Sequence, residues 1–240
     1  MFAVIDPTTL LLASLIIFLG SLTQSLIGFG LAVVASPLLY IVDPQLVPVP
    51  VILMGFSIAL LTLFRERREL KFNGMQYALL GRIPGGFIGV ALLMLAPQPV
   101  LGLAIAIIVG ATVILSFLKF DISINRLSLF IAGVLSGIFA NIAAIGGPPI
   151  AILLAGKEAN QFRATLSAFF ICSSLISLAI LAVTGFLNIT QLWLSLMLLP
   201  SMVLGYLVSG KLVDRINKHQ IKTLTLLLCA LSALILTVKS

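Results

Sequence analysis

Glycine, proline and a few polar residues interrupt the long apolar runs of this 240-residue chain. The clearest interruption is AAIGGPPIAIL, residues 143 to 153, in which Gly146, Gly147, Pro148 and Pro149 stand together. Glycine and proline are the poorest helix formers, so a helix must break at this point. A helix that starts beyond the break presents unpaired N–H groups and a partial positive charge. The break therefore indicates chemistry suited to an anion.

Polar side chains near two such breaks extend this candidate anion site. An earlier run carries GFG at residues 28 to 30, with Gln24 shortly before it, and Asn141 precedes the GGPP sequence. These amides are the largest polar side chains near the breaks, and their alternative role is hydrogen bonding between packed helices. The candidate substrate-binding residues at the breaks are Gln24, Gly28, Gly30, Asn141, Gly146, Gly147 and Pro148.

Two arginines are the charged candidates for the same site. Arg82 lies inside an apolar run, and Arg163 begins the sequence RATLSAFF, in which Thr165 offers a hydroxyl donor. A guanidinium offers paired donors that match a planar or trigonal oxyanion. The alternative for both arginines is that their side chains reach the membrane interface, as long basic side chains near helix ends do.

The acidic residues lie in connectors or near the termini, so no carboxylate is expected inside an apolar run. Neither a cation site nor a carboxylate proton relay is therefore indicated. The single histidine lies in a basic connector, and both cysteines fall in apolar runs. We therefore expect no metal site, no cofactor and no catalytic residues, which argues against a membrane-embedded enzyme.

Composition indicates the elements that must position these residues. The chain is 61% hydrophobic and 9% charged, with a mean hydropathy of +1.27, whereas soluble domains carry about 25% charged residues. An all-α polytopic membrane protein is predicted, and its formal charge of +7 reflects basic connectors beside a lipid bilayer rather than a nucleic-acid partner. Eight apolar runs are long enough to enter the bilayer: 9–42, 46–64, 75–96, 98–118, 127–155, 164–186, 191–213 and 220–238.

The chain also repeats itself. The first half contains GSLTQSLIGFGLAVVASPLL from Gly20, and the second contains GIFANIAAIGGPPIAILLAG from Gly137, with glycines at matching positions. Further along each half, IPGGFIG aligns with LPSMVLG. These matches predict two four-segment repeats within one membrane unit, residues 1–120 and 121–240.

The distribution of basic residues predicts how the first segment of each repeat is arranged. If every run crosses once, the basic connector residues divide evenly between the two sides, which the positive-inside tendency disfavours. If runs 9–42 and 127–155 enter and return, nearly all of these residues share one side, the cytoplasm. We therefore expect inverted repeats that each open with a Gly/Pro-broken re-entrant helical hairpin, a plan typical of secondary transporters. One long tilted helix with a proline kink is the alternative.

At these residues the chain resembles the TauE/SafE sulfite exporter family of bacterial permeases. The resemblance rests on LIGFGLAVVASPLL, SGIFANIAAIGGPPIAILLAG and RATLSAFF, and it covers essentially the whole chain. It implies export of a small sulfur-containing anion, sulfite or an organosulfonate, across the bacterial inner membrane. Many members have a richer glycine run where Phe29 stands here. The alternatives are uptake or proton-coupled exchange of another small anion such as a carboxylate, an enzyme, and a structural subunit.

Overall fold

Helices are the regular secondary structure of the described residues. A computed structural model describes residues 6–71, 74–117, 123–212, 227 and 229–237, and no β-strand occurs in these ranges. Short 3-10 turns occupy Pro44–Leu46 and Arg67–Glu69, and residues 229–237 are helical. The α-helices are α1 (Pro7–Ile27), α2 (Leu31–Val42), α3 (Val49–Glu66), α4 (Met75–Leu95), α5 (Gln98–Phe117), α6 (Arg126–Ala143), α7 (Pro148–Leu153), α8 (Ala159–Val183) and α9 (Ile189–Leu212).

The lengths and composition of these helices confirm an all-α membrane protein that crosses the bilayer several times. Two apolar helices in the described ranges are shorter than a full membrane span: α2, and the part Gln98–Ile114 of α5. Outside the described residues lie most of the first part of the predicted run 220–238 and the basic residues Arg215, Lys218 and Lys222. Six helical stretches are long and apolar enough to cross a membrane: Pro7–Ile27, Pro44–Glu69, Met75–Leu95, Arg126–Ala143, Ala159–Val183 and Ile189–Gly210.

The first break separates α1 from α2. Gly28 has a φ of +102° and Gly30 a φ of +129°, a region of backbone space in which side chains are strained, so glycine suits both positions. The chain then turns back, because the carbonyl oxygen of Leu31 lies 3.0 Å from the place a Cβ on Gly20 would occupy. The GFG sequence is therefore the tip of a helical hairpin made by α1 and α2.

The second break separates α6 from α7. Ala144 follows the last residue of α6 with a left-handed φ of +59°, and α7 begins at Pro148, a position where a missing N–H is tolerated. The hydroxyl of Ser36, on α2, donates a hydrogen bond to the carbonyl of Ala143. This bond satisfies one of the free carbonyls at the end of α6 and joins the second break to the first hairpin.

Glycines allow α4 and α6 to pack with their backbones in direct contact. A Cβ on Gly133 of α6 would lie 2.0 Å from the carbonyl oxygen of Ala78, and a Cβ on Gly81 of α4 would lie 2.1 Å from that of Phe130. Small residues permit this close approach between membrane helices, where van der Waals contact replaces the hydrophobic effect. The α4 and α6 helices make the most extensive helix contact, followed by α1 with α9 and α3 with α8.

Replacing Gly133 by alanine should destabilise the protein, because the new methyl group meets backbone that cannot rotate away. Overpacking of this kind typically costs about 1–3 kcal/mol. Gly110→Ala is the matched control, since nothing lies within 4 Å of a Cβ at that helical position. Thermal unfolding of both variants in detergent measures the difference; equal unfolding temperatures would contradict the close α4 to α6 contact.

Candidate functional site

A cavity lies where the two helix breaks meet. Its wall takes Gln24 and Gly30 from the first hairpin, and Gly146, Gly147 and Pro148 from the second break. Residues of α2, α3, α4, α6 and α8 complete the wall. Six of the ten residues predicted from the sequence to bind substrate line this cavity, the sixth being the α4 arginine described next.

Arg82 places its guanidinium at the cavity wall while only 2% of the residue is exposed. Its Nη1 donates to both the carbonyl oxygen and the hydroxyl of Ser136 at 2.6 Å, and its Nη2 donates to the hydroxyl of Ser177 at 3.0 Å. The Nε group donates to the carbonyl oxygen of Ser173 at 3.4 Å. These contacts from α6 and α8 hold the side chain inward, which excludes the alternative in which it reaches the interface.

No carboxylate of the described residues pairs with this guanidinium. In the described part of the chain the ion pairs both involve Glu66, which contacts Arg65 and Arg163 but not Arg82. All the acceptors bonded to Arg82 are neutral carbonyls and hydroxyls. Burying a charge is costly unless an opposite charge is nearby, so the arrangement leaves the cavity with a strong preference for an anion.

The second break is connected directly to this guanidinium. The hydroxyl of Ser136, which accepts a hydrogen bond from Arg82, donates one to the carbonyl oxygen of Gly146. A Cβ on Gly146 would lie 2.6 Å from Nη1 of Arg82. A side chain at this position would push against the guanidinium, so the break and the charge occupy one continuous site.

The first break contributes a different set of groups. The side-chain oxygen of Gln24 accepts a hydrogen bond at 3.3 Å from the amide of Leu31, the first residue of α2. The start of α2 thus faces the cavity region, where its partial positive charge favours an anion. The start of α7 differs, because that helix has only six residues and its first two, Pro148 and Pro149, have no N–H. The two breaks therefore differ in the backbone N–H groups that they could offer to an anion.

Arg163, Gly28 and Thr165 are predicted site residues that the structure places outside the cavity wall. The Nε and Nη2 groups of Arg163 lie 3.0 and 2.9 Å from Oε1 of Glu66, and a Cβ on Gly28 would lie 2.9 Å from Cγ of Arg163. The hydroxyl of Thr165 donates to the carbonyl oxygen of Lys71 at 3.1 Å. These residues form a neighbouring cluster in which the second arginine is already paired.

Glu66 departs from the sequence interpretation. It was expected in a solvated connector, but it is the last residue of α3 and its side chain is only 10% exposed. Its carboxylate pairs with Arg163 on α8. The Nη2 group of Arg163 also donates to the side-chain oxygen of Asn160 at 2.6 Å. An acidic residue near the end of an apolar run therefore neutralises one of the two candidate arginines.

Asn141 also lies outside the cavity wall, although its neighbour Ala140 lines it. The residue is fully buried, and its Nδ2 donates to the carbonyl oxygen of Gly86 at 2.9 Å, joining α6 to α4. Its Oδ1 has no hydrogen-bond partner among the described residues. The observed contact corresponds to the alternative role considered for this amide, hydrogen bonding between packed helices.

The wall residues that the sequence did not predict include two phenylalanines and two serines. Phe29 and Phe170 both lie close to Gly147, whose Cβ would be 3.6 Å from Cβ of Phe29 and 2.9 Å from Cζ of Phe170. Ser173 and Ser174 add hydroxyl groups from α8. The sequence does indicate the serines, because SSLIS within α8 places small polar residues one helical turn apart, on one face of an otherwise apolar helix.

Comparison with known proteins gives the family. The chain matches the family described as sulfite exporter TauE/SafE over residues 13–236. No match is found among curated proteins, and none among solved structures. The family match spans both helix breaks, Arg82 and the described helices, apart from the first six residues of α1 and residue 237. Because it covers nearly the whole chain, the chain belongs to the sulfite exporter TauE/SafE family.

Proposed function

We propose that this protein is a secondary transporter that exports a small sulfur-containing anion, sulfite or an organosulfonate, across the bacterial inner membrane. The observation that carries the proposal is the unpaired charge of Arg82 at the wall of a cavity between two helix breaks. Family membership supplies the chemical class, and the charge supplies the reason an anion binds. In this proposal Gln24, Gly30, Gly146, Gly147 and Pro148 complete the binding site.

The proposed architecture is a pair of inverted repeats, each opening with a re-entrant hairpin. Two contacts support it: a Cβ on Gly89 of α4 would lie 2.8 Å from the carbonyl oxygen of Ile138, and one on Gly205 of α9 would lie 2.8 Å from Cβ of Ser21. Alignment of the two halves places Gly89 on Gly205. It also places Ile138 on Ser21, so the third segment of each half packs in the same way against the first segment of the other half.

Binding near the middle of the membrane between broken helices is typical of secondary transporters. In the proposed orientation the basic connectors face the cytoplasm, as the positive-inside tendency favours. The ion-pair cluster of Glu66 and Arg163 then lies toward the cytoplasmic end, and the Arg82 cavity lies deeper. Phe29 and Phe170 line the cavity, and the ring of Phe162 packs edge-on against that of Phe29.

Binding of small anions to the purified protein tests the proposal directly. A ligand that binds only the folded state raises the apparent unfolding temperature. We expect sulfite or a singly charged organosulfonate such as methanesulfonate to stabilise the protein more than acetate or chloride at equal concentration. Greater stabilisation by acetate would favour a carboxylate carrier, and a flat response across all of these compounds would overturn the proposed anion site.

Replacing Arg82 by methionine should abolish this stabilisation by anions. Methionine has a similar length but no charge, and removal of an unpaired buried charge should leave the free energy of unfolding without anion unchanged or higher. This combination separates a binding role from a structural one. If Arg82→Met lowered stability without anion and kept the anion response, the arginine would be a packing residue.

Alanine at Gly146 should weaken anion binding while the protein still folds. The added methyl would lie 2.6 Å from Nη1 of Arg82 and would displace the guanidinium from its hydrogen bonds to Ser136. We expect the dissociation constant to rise about tenfold, equivalent to about 1.4 kcal/mol. The Gly110→Ala protein is the control, and titration calorimetry is the measurement. Equal dissociation constants in the two variants would remove Gly146 from the site.

Export of a monoanion should require only the membrane potential. One charge crossing 100 mV gains about 2.3 kcal/mol, which expels a monoanion from a negative interior roughly fifty-fold at equilibrium. In proteoliposomes loaded with the anion, an inside-negative potassium diffusion potential should accelerate efflux with equal pH on both sides. Efflux that instead needs a pH gradient at zero potential would indicate proton coupling.

A further inference from the structure

We propose that the cavity selects its substrate by charge, accepting a singly charged anion and rejecting a doubly charged anion of the same shape. The inference rests on the proposed function and specifies the ionic state of the substrate, which the family does not define. It follows from the number of charges that the structure brings to the cavity, from the nature of the wall, and from the lack of a titratable group there.

The cavity provides a single positive charge. Arg82 is the one charged side chain among the described residues of the wall. The other arginine that the sequence offered to an anion, Arg163, is paired with Glu66 at 2.9 Å outside that wall. Pairing removes the second cation that a dianion would need, so a site that looks doubly positive in the sequence is singly positive in the structure.

Most of the remaining wall is apolar. Val33, Val51, Ile52 and Ile145 line it together with two phenylalanines and several alanines and glycines. A monoanion bound to the guanidinium leaves the buried site neutral. A dianion leaves one negative charge surrounded by apolar groups, and an uncompensated buried charge is strongly unfavourable.

The wall also lacks a group that could neutralise a second charge by donating a proton. Apart from Arg82, the described wall residues include no acid, histidine, lysine, tyrosine or cysteine. Gln24, Ser173 and Ser174 are the neutral polar side chains of the wall. Neutral donors orient an oxyanion without changing its charge. The ligand must therefore arrive already singly charged.

Sulfite is the case in which this selection has a physiological effect. Sulfite exists as a monoanion and a dianion that exchange one proton near neutral pH. Selection by charge means that the protein takes the protonated form, so the concentration of usable substrate depends on the pH of the compartment. An alkanesulfonate such as methanesulfonate, which has no other ionisable group, carries one charge at every physiological pH, and its binding should not follow pH.

The test compares three tetrahedral anions of nearly equal size with the purified full-length protein. Methanesulfonate and sulfamate carry one charge, the first with a methyl group and the second with a polar amino group, whereas sulfate carries two. Titration calorimetry in one chloride-free medium gives each dissociation constant. A second series measures sulfite and methanesulfonate at about pH 6 and about pH 8, since the monoanion fraction falls about tenfold per pH unit above the sulfite pKa.

We expect methanesulfonate and sulfamate to bind with similar affinity and sulfate at least tenfold more weakly, and the Arg82→Met protein to bind none of them. Sulfite should bind several-fold more weakly at the higher pH, while methanesulfonate stays constant and so controls for changes in the protein. Sulfate binding as tightly as the monoanions would overturn charge selection while leaving the proposed transporter intact. Sulfamate as weak as sulfate would assign selectivity to the apolar wall instead. Absence of binding by all three would contradict the anion site itself.

Discussion

Burial of the Arg82 guanidinium without a carboxylate is the constraint on which the rest of the site depends. Removing a cation from water costs several kcal/mol even after relaxation. Ser136, Ser173 and Ser177 offset part of this cost with neutral hydrogen bonds from α6 and α8. The uncompensated part favours an anion in the cavity, and the same hydrogen bonds fix the position of the guanidinium that the proposed anion would contact.

The glycine-mediated contact between α4 and α6 makes this arrangement possible. Arg82 lies on α4 between Gly81 and Gly85, whose Cβ atoms would each lie 2.1 Å from backbone carbonyls of α6. Backbones this close bring Ser136 within reach of the guanidinium, and Ser136 in turn bonds to Gly146. Packing, charge and helix break therefore form one connected unit, in which a side chain added at the contact between the two helices would separate the groups of the proposed anion site.

Much of the fold could be predicted from the sequence, because a hydrophobic bilayer restricts the choices to apolar helices and because GFG and GGPP cannot continue a helix. Six of ten predicted site residues line the cavity for the same reason. Local sequence could not show that Glu66 turns inward to neutralise Arg163, since this pairing joins residues far apart in the chain. Phe170 and Ser173 were missed because only tertiary packing decides which face of the apolar α8 lines the cavity.

The proposed repeat has a consequence for stoichiometry. Alignment of IPGGFIG with LPSMVLG places Arg82 on Leu198, a residue that is 1% exposed and belongs to the main hydrophobic core. A duplicated ancestor with identical halves would present either two cations or none to the central space. In the proposed repeat, this chain charges one half only, because residue 198 is a leucine. On that proposal each polypeptide would hold a single anion, since the second half offers no charge at the position equivalent to Arg82.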